Sequence, residues 1–529
     1  MSWERVGTVE ELERGPLVVK RAPRQVAVFR SRGSTFAIDN RCPHEGYPLA
    51  QGTVDEQGIL TCHWHNWRFR LSDGRCVLGG DDVVSYPTRE EDGCVWVDLA
   101  GPSREEVQRK ALDGLRKAFD ERDYGRIGRE LARLGAAGAE AHAGVEAAIV
   151  WTHDRLEFGT THAFAGAADW LAERERWSGH AEEQLACLAE AVDHMALDAL
   201  RHPVVPFAKP AERWDEQTFA KAVEGQRAPE AEALVAAAFE AASDLAQLDG
   251  ALAAAALAHY NDFGHALIYV HKSLELAERV GRDAERALGL ALGRQLCFTT
   301  REDLLPEFRG YAEALAVLPH PSAHAADRVR LEPPFGQSTH ETWKWLAAAL
   351  AEAPLDAVFD ALVEALARNL LHFDTDFERA TKARVQDNVG WLDFTHGLTF
   401  GEAVRSMAAR RPELVRPGLL QMACFVGRNR PYVDLALDER PFQIEDEHQF
   451  LEELRHLRLD HGLRDPIFSV HVLKTSIAVE RLLEQASPSC RRALLAALNR
   501  FVHAPIKQKH PLRFAHQALD LIGRDAAGK

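Results

Sequence analysis

Long apolar runs are missing from this sequence of 529 residues. Its most apolar stretch, residues 231–260, is interrupted by Glu240, Asp244 and Asp249, which is typical of a buried or amphipathic helix and not of a membrane span. Positive charge is in deficit, because 63 Lys and Arg stand against 80 Asp and Glu and leave a formal charge of −17. Such a chain repels phosphate backbones and anionic surfaces, so neither nucleic acid nor a membrane is expected as a partner.

Cysteine is scarce and scattered, and eight residues in a chain of this length do not form a disulfide framework. The opening residues 1–15 carry many charges and lack the basic and then apolar leader of a signal peptide. These absences predict a cytoplasmic location. Walker loops, Rossmann fingerprints and the nucleophile elbow of serine hydrolases are missing as well, so no nucleotide site or hydrolase site is predicted.

Short alternating apolar and polar runs fill residues 3–99, with turn residues such as Asp73-Gly74 between them. This pattern predicts a small antiparallel β domain over residues 1–101. The rest of the chain is rich in Ala, Leu, Glu and Arg, with an apolar period of about 3.6 residues. We therefore predict a multidomain α+β protein, in which residues 102–529 form a large all-α domain.

Two cysteines and two histidines occur in paired motifs inside the predicted β domain. Cys42-Pro-His44 is followed, after seventeen residues, by Cys62-His-Trp-His65. Two thiolates on one iron and two neutral imidazoles on the other are the ligands of a [2Fe–2S] cluster whose potential lies above that of all-cysteine clusters. The spacing therefore predicts that Cys42, His44, Cys62 and His65 hold such a cluster.

With these motifs, residues 2–100 resemble the Rieske proteins. Members of the cytochrome bc type usually carry an extra cysteine in each cluster loop, and this sequence does not. The resemblance therefore implies the ferredoxin and oxygenase branch, in which a reductase feeds a cluster of lower potential. His63 is a rival ligand by position, although the two-residue gap favours His65. Cys76 and Cys94 are expected to be strand residues.

The helical region raises the question of which group accepts an electron from the cluster. Rieske oxygenases carry two histidines and a carboxylate that leave an iron open to O2. The nearest match here is Asp262, His265 and His271, but the second histidine comes one residue too late and turns away from the first on a regular helix.

A second pattern fits the whole helical region better. In four segments a histidine follows an aromatic residue and precedes small and apolar residues; these are His162, His265, His396 and His471. Each lies at the apolar start of a predicted helix, where a neutral imidazole needs a hydrogen-bond partner or a metal. An ordinary core histidine is the alternative at each position. Four helices of a bundle can converge on one site, and imidazoles beside an electron donor favour iron.

One lysine belongs to the same pattern. Lys474 follows His471 by three positions inside an otherwise apolar run, so both lie on one helix face. Its ammonium either reaches water at the helix edge or stays buried as a neutral amine that reacts with CO2 or acts as a base. Lys272 is a weaker alternative of the same type.

At these residues the helical region resembles the questin oxidase-like family, which are helical oxygenases of aromatic polyketides. The resemblance rests on His162-Ala-Phe, His396-Gly-Leu-Thr and His471-Val-Leu-Lys474, spread over about residues 140–485. It implies a mononuclear non-haem iron bound by several histidines and a carboxylated lysine, with O2 as co-substrate. His162, His265, His396 and His471 become candidate ligands and Lys474 the candidate carbamate, while His259 and His271 compete with His265.

We therefore expect an oxidoreductase, an oxygenase in which a Rieske cluster passes electrons to a mononuclear iron that activates O2 against a hydrophobic, aromatic substrate. An external reductase or ferredoxin would supply the electrons, and a homo-oligomer is plausible. Three alternatives stay open: an electron carrier whose helices are a docking scaffold, a redox sensor, and a hydroxylase using Asp262, His265 and His271.

Overall fold

A computed structural model describes residues 3–22, 24–200, 202–321 and 330–526. The chain divides into two compact units, Met1–Gly144 and Val145–Lys529. The units are described separately below.

The described residues of the first unit include eleven short strands, which form three antiparallel sheets with the orders β1-β11-β10, β2-β3-β4-β9 and β5-β6-β7-β8. The strands are β1 Trp3–Thr8, β2 Leu17–Arg21, β3 Arg24–Ser31, β4 Ser34–Asp39, β5 Thr53–Val54, β6 Ile59–Thr61, β7 Arg68–Arg70, β8 Cys76–Leu78, β9 Ser85–Tyr86, β10 Thr88–Glu91 and β11 Cys94–Asp98. The predicted antiparallel β domain is thereby confirmed.

Local sequence explains the hairpins and the core of this unit. Arg32 and Gly33 have φ of 54° and 76°. A turn with two positive φ values matches the right-handed twist of the strands that it joins, here β3 and β4. Alternate residues of β3 and β4 face the interior, where Ala27, Phe29 and Ile38 are fully buried with the first-motif cysteine Cys42. The β core therefore reaches directly under the paired Cys/His motifs.

Three helices complete the first unit: α1 Val9–Arg14, α2 Arg104–Glu121 and α3 Tyr124–Ala136. Ser103 caps α2 by accepting a hydrogen bond from the Glu106 N–H at 3.2 Å. The switch from strands to helices thus falls where the sequence changes after residue 101, but the compact unit continues through α2 and α3 to Gly144.

A buried carboxylate explains why α3 stays with the β domain. Asp81 follows β8, and its side chain is inaccessible to solvent. Its oxygens lie 2.8 Å from Nε of Arg126, 2.8 Å from Nε of Arg129 and 3.4 Å from a terminal nitrogen of Arg133, all on α3. Three guanidinium groups compensate the cost of burying one carboxylate.

The second unit is built from helices, and its large apolar core runs through most of them. The chain continues in α4 Ala143–Thr152, α5 His162–Arg176, α6 Ala181–Ala199, α7 Glu216–Glu224, α8 Ala228–Glu240, α9 Asp249–Ala256, α10 His265–Ala277, α11 Arg282–Phe298, α12 Tyr311–Val317, α13 Thr339–Glu352, α14 Leu355–Leu371, α15 Thr375–Arg379, α16 Trp391–Arg410, α17 Val415–Asn429, α18 Glu447–Leu459, α19 Pro466–Leu483, α20 Pro488–Val502 and α21 Pro511–Ala526. The predicted all-α region is confirmed. Across the described residues, each helix is too short or too polar to cross a bilayer.

Four of these helices form a closed ring, in which α5 packs on α10, α10 on α16, α16 on α19 and α19 back on α5. Small residues permit the close approach: a Cβ on Gly166 of α5 would lie 2.3 Å from Cγ2 of Val470 on α19. Side chains on the inner faces of these four helices are therefore enclosed by the four-helix ring.

Replacing Asp81 tests the attachment of α3. We expect Asp81→Asn to destabilise the first unit by about 3 kcal/mol, because three guanidinium groups lose their buried counter-charge. Hydrogen exchange of residues 124–136 should rise in the variant. Asp82→Asn is the matched control, since exposed Asp82 only accepts the Cys76 N–H at 2.8 Å; equal exchange in both variants would contradict the assignment.

Candidate metal centres

The paired motifs of the first unit fold into two loops of the same shape. In the first, the Cys42 N–H donates to the Tyr47 carbonyl at 2.9 Å and the Gly46 N–H donates to the Cys42 carbonyl at 2.8 Å. In the second, the Cys62 N–H donates to the Trp67 carbonyl at 2.8 Å and the Asn66 N–H to the Cys62 carbonyl at 3.0 Å. Gly46 and Asn66 both have positive φ, which closes each loop.

These loops place two thiols inside and two imidazoles outside. Cys42 and Cys62 are 3% and 1% exposed. Burial, with the neighbouring Cys62 thiol, raises the pKa of Cys42 to about 11. The Nδ1 atoms of His44 and His65 lie 3.1 Å apart. A buried thiol pair facing a more exposed imidazole pair matches the Cys2His2 donor set of a Rieske cluster.

Aromatic rings hold the two imidazoles in place. Trp67 stacks on His44 with centroids 4.8 Å apart, and Trp64 stacks on His65 at 5.3 Å. His63, the rival ligand by position, turns the other way and its Nε2 lies 3.0 Å from the Thr53 hydroxyl. Neither tryptophan was assigned a role from the sequence, although Trp64 lies in the second motif and Trp67 follows it by two residues.

Cys76 and Cys94, expected to be strand residues, are the first residues of β8 and β11. Both are free, as are the other cysteines of the chain. No described cysteine pair therefore competes with Cys42 and Cys62 for the cluster.

In the second unit, the four-helix ring brings the repeated histidines together. His162 and His265 are the first residues of α5 and α10, while His396 and His471 lie in the second turns of α16 and α19. The apolar residues that follow each histidine pack the helices together, so the four imidazoles point into one space. The repeated context in the sequence therefore corresponds to one place in the fold.

The imidazole nitrogens lie within metal-binding distance of one another. His265 Nε2 is 3.1 Å from His162 Nε2, and His471 Nε2 is 3.3 Å from His396 Nε2. The centroids of the His265 and His396 rings are 4.5 Å apart, which joins the two pairs. Nitrogens bound at about 2.1 Å to one ion are separated by about 3 Å, so this spacing fits a shared metal.

Neutral imidazole is the form that binds metals, and burial favours that form for His162, His396 and His471. Burial, reinforced by Lys474 and the neighbouring imidazoles, lowers the pKa of His162 and His396 well below the ordinary value. Burial and Lys474 do the same for His471, while its bond to the Ile467 carbonyl opposes the shift. That bond, 2.6 Å from Nδ1, leaves Nε2 free to face the cluster of imidazoles.

Lys474 points into the same space and does not reach the helix edge. It is 4% exposed, and its Nζ lies 3.4 Å from His396 Nε2. Among the described residues, no carboxylate lies within ion-pair distance of this amine. Burial lowers the pKa of Lys474 to about 7, so a large fraction of the amine is neutral at physiological pH.

A tyrosine absent from the sequence predictions joins this group. The Tyr269 hydroxyl lies 3.2 Å from His162 Nδ1, and the side chain is buried. Tyr269 follows His265 by four positions, which places both on one face of α10. That spacing is the signal that sequence reasoning passed over.

His271, the second histidine of the facial-triad alternative, is separate from His265. His271 Nε2 lies 3.1 Å from Glu402 Oε1 and 3.7 Å from Glu275 Oε1. Asp262 lies 3.8 Å from His265 Nδ1. The helix turn therefore separates His265 from His271, as expected from their spacing, and the three residues do not surround one point.

Below the histidines, the four-helix ring encloses a second polar group, here called the ion layer: Asp169, His271, Lys272, Glu275, Glu402 and Arg481. Lys272 Nζ lies 2.9 Å from both Asp169 and Glu275, and 3.7 Å from Glu402. Burial opposes the ionised form, but Lys272 and Arg481 lower the pKa of Glu275 to about 2. Lys272 is therefore a paired cation, unlike Lys474.

Comparison with known proteins assigns the first unit. Residues 2–87 match the family model of the Rieske [2Fe-2S] domain. The ferredoxin subunit of 3-phenylpropionate/cinnamic acid dioxygenase from Photorhabdus laumondii is 31% identical over 103 residues, which are 19% of this chain and 97% of that subunit. A 4beta-methylsterol monooxygenase from Methylococcus capsulatus is 33% identical over 90 residues.

These likenesses involve a small part of the chain. The match to the sterol monooxygenase covers 15% of this chain and 24% of that protein. Among solved structures, the ferredoxin of carbazole 1,9a-dioxygenase from Nocardioides aromaticivorans IC177 is 25% identical, with 18% of this chain and 97% of that chain covered and a TM-score of 0.18. Through its N-terminal domain the chain belongs to the Rieske [2Fe–2S] family, and this domain is related to the ferredoxin subunits of Rieske oxygenases.

Proposed function

We propose that this protein is an oxygenase in which electrons from the Rieske cluster reach a mononuclear iron in the four-helix ring, for O2-dependent oxidation of a hydrophobic, aromatic substrate. The observation that carries this proposal is the convergence of His162, His265, His396 and His471 with Lys474 in one buried space. An electron-transfer domain in the same chain favours a redox metal there.

Each ligand residue has a defined task in this proposal. The four imidazoles would hold the iron through their ring nitrogens, and Tyr269 would orient His162 from the far side of its ring. Iron supplies the one-electron and O2 chemistry when bound. The apolar helix faces around the histidines exclude water from the site.

Lys474 has two possible contributions to the iron site. Its neutral amine can support the site as it stands, or it can add to CO2, forming a carbamate with loss of one proton. The carbamate would supply an anionic oxygen ligand, as the resemblance to the questin oxidase-like family implies. No described carboxylate pairs with Lys474, so this carbamate would add an anion to the cluster beside the Asp262 carboxylate, which lies 3.8 Å from His265 Nδ1.

Electrons for the Rieske cluster would come from an external reductase or ferredoxin. Trp64 is 55% exposed beside His65, which leaves that imidazole accessible to a donor. Cytoplasmic location and assembly into a homo-oligomer are parts of the same proposal.

A second candidate function is electron transfer alone, with the helices as a docking scaffold. It is favoured by the match to a ferredoxin subunit over 97% of that subunit's length. In this case the buried histidines would be hydrogen-bonded to one another and would hold no metal.

Iron and sulfide counting on anaerobically purified protein separates the two functions. The oxygenase requires about three irons and two sulfides per chain, because one iron lies outside the cluster. EPR should then show the non-cluster iron beside the reduced Rieske signal. About two irons, with none gained after reconstitution, would leave the electron carrier as the function.

Removal of single histidines tests which residues hold the iron. His396→Ala or His471→Ala should reduce the non-cluster iron from about one per chain to near zero, with the Rieske spectrum intact. His259→Ala is the matched control, because His259 pairs with Asp303 at 2.7 Å and Glu224 at 2.9 Å away from the cluster. Full iron in the first two variants would exclude these ligands.

The two buried lysines should respond in opposite ways to replacement by methionine. Lys474→Met removes an amine without a counter-charge, so the metal-free variant should be at least as stable as the wild type, while its iron affinity falls about 10-fold or more. Lys272→Met leaves the buried Asp169 carboxylate without its cation and should cost about 3–5 kcal/mol. Thermal melts and iron titrations measure both; unchanged iron affinity in Lys474→Met would leave a histidine-only site.

A further inference from the structure

A cavity of about 570 Å³ lies in the helical unit beside the histidine cluster. Its lining comes from three segments, around residues 305–307, 385–389 and 428–432, together with Phe263 and Asp393. The volume is in the range of about 300–1,000 Å³ that is usual for small-molecule sites. None of its lining residues belongs to the metal ligands proposed above.

Phe263 and Asp393 connect this cavity to the histidines. The Phe263 ring lies 6.0 Å from the His396 ring, centroid to centroid, and also lines the cavity. Asp393 stands one helical turn before His396 on α16. One aromatic ring therefore separates the cavity from the imidazole cluster.

The ring of Phe263 is held firmly. The Arg428 guanidinium carbon lies 3.7 Å above its centroid. Glu302 holds both Arg428 and Phe263 in place, since its carboxylate accepts a hydrogen bond from the Arg428 guanidinium at 2.8 Å and another from the Phe263 N–H at 3.3 Å. Phe263 also has φ of 50°, a strained value for an aromatic residue, which the surrounding contacts must impose.

The charges around the cavity favour a neutral ligand. Three carboxyl groups face it, from Glu307, Asp387 and Asp393, against the single guanidinium of Arg428, whose charge is compensated by Glu302. Burial raises the pKa of Glu307 and Asp393, since it opposes the ionised form of each carboxyl group. An anion entering this space would find no uncommitted positive charge among the described lining residues.

We propose that this cavity is the ligand chamber of the helical unit, that it selects uncharged over carboxylate ligands, and that Phe263 is the wall positioning the ligand against the histidine cluster. The assignment rests on the proposed function for its chemical purpose, but the binding itself does not require iron. The walls contributed by Leu305, Pro306 and Pro431 suit the apolar body of such a ligand.

Equilibrium dialysis of the full-length protein with 2-naphthol and 2-naphthoate tests the chamber, because the two probes share a ring system and differ in charge at pH 7. We expect 2-naphthol to bind at least about tenfold more tightly than 2-naphthoate. Val385→Trp, at an exposed position on the cavity rim, should weaken 2-naphthol binding about tenfold. Ala254→Trp, on the rim of a separate cavity near His259, is the matched control.

Glu302→Gln tests the origin of the selectivity. This change frees the Arg428 charge, so 2-naphthoate should bind about tenfold more tightly while 2-naphthol changes little. Equal binding of the two probes to the wild type, or 2-naphthol binding unchanged by Val385→Trp, would overturn the assignment. Iron counts on the same samples distinguish failure of the chamber from failure of the oxygenase. Iron without 2-naphthol binding refutes only the ligand chamber. Binding of 2-naphthol without non-cluster iron refutes only the oxygenase.

Discussion

The cost of burying polar side chains inside the four-helix ring is the constraint on which the helical unit depends. Imidazoles, an amine and carboxylates all point inward, where each needs a partner. The sequence repeats a spacing that meets this need: Asp169 follows His162 by seven residues, Lys272 follows His265 by seven, and Glu402 follows His396 by six. One layer of the ring therefore pairs its charged groups. In the other layer, the only described carboxylate within ion-pair distance of the nitrogen donors is Asp262, 3.8 Å from His265 Nδ1.

This difference between the layers explains why the histidine layer is suited to a cation. In the ion layer, Lys272 and Arg481 already pair with the three carboxylates, so a metal there would have to displace these cations. In the histidine layer, burial lowers the pKa of His162, His396 and His471 well below the ordinary value, which leaves their lone pairs available. His271, Glu275 and Glu402 are close enough to share an ion, but their partners make that group a structural element.

Local spacing made much of this predictable, and contacts between distant segments account for the rest. The paired Cys/His motifs lie within two short loops, so the sequence alone could predict that His44 and His65 come together. The four histidines were found because each helix repeats one context. Lys272 and Lys474 could not be told apart, since the partners of Lys272 on α5 and α16 come from segments far away in sequence. The attachment of α3 through Asp81 could not be predicted either, because Asp81 and its arginine partners on α3 are also far apart in sequence.

A single turn before α10 connects the metal side of the ring with the cavity side. Asp262, Phe263 and Gly264 have φ of 44°, 50° and 74°, three successive left-handed residues that end where His265 begins the helix. A Cβ on Gly264 would lie 2.5 Å from the Phe400 ring, so the turn cannot relax toward a more ordinary path. The backbone that aims His265 into the imidazole cluster therefore also aims Phe263 between that cluster and the cavity. In the proposed function, this strained segment would therefore fix ligand position and metal coordination together.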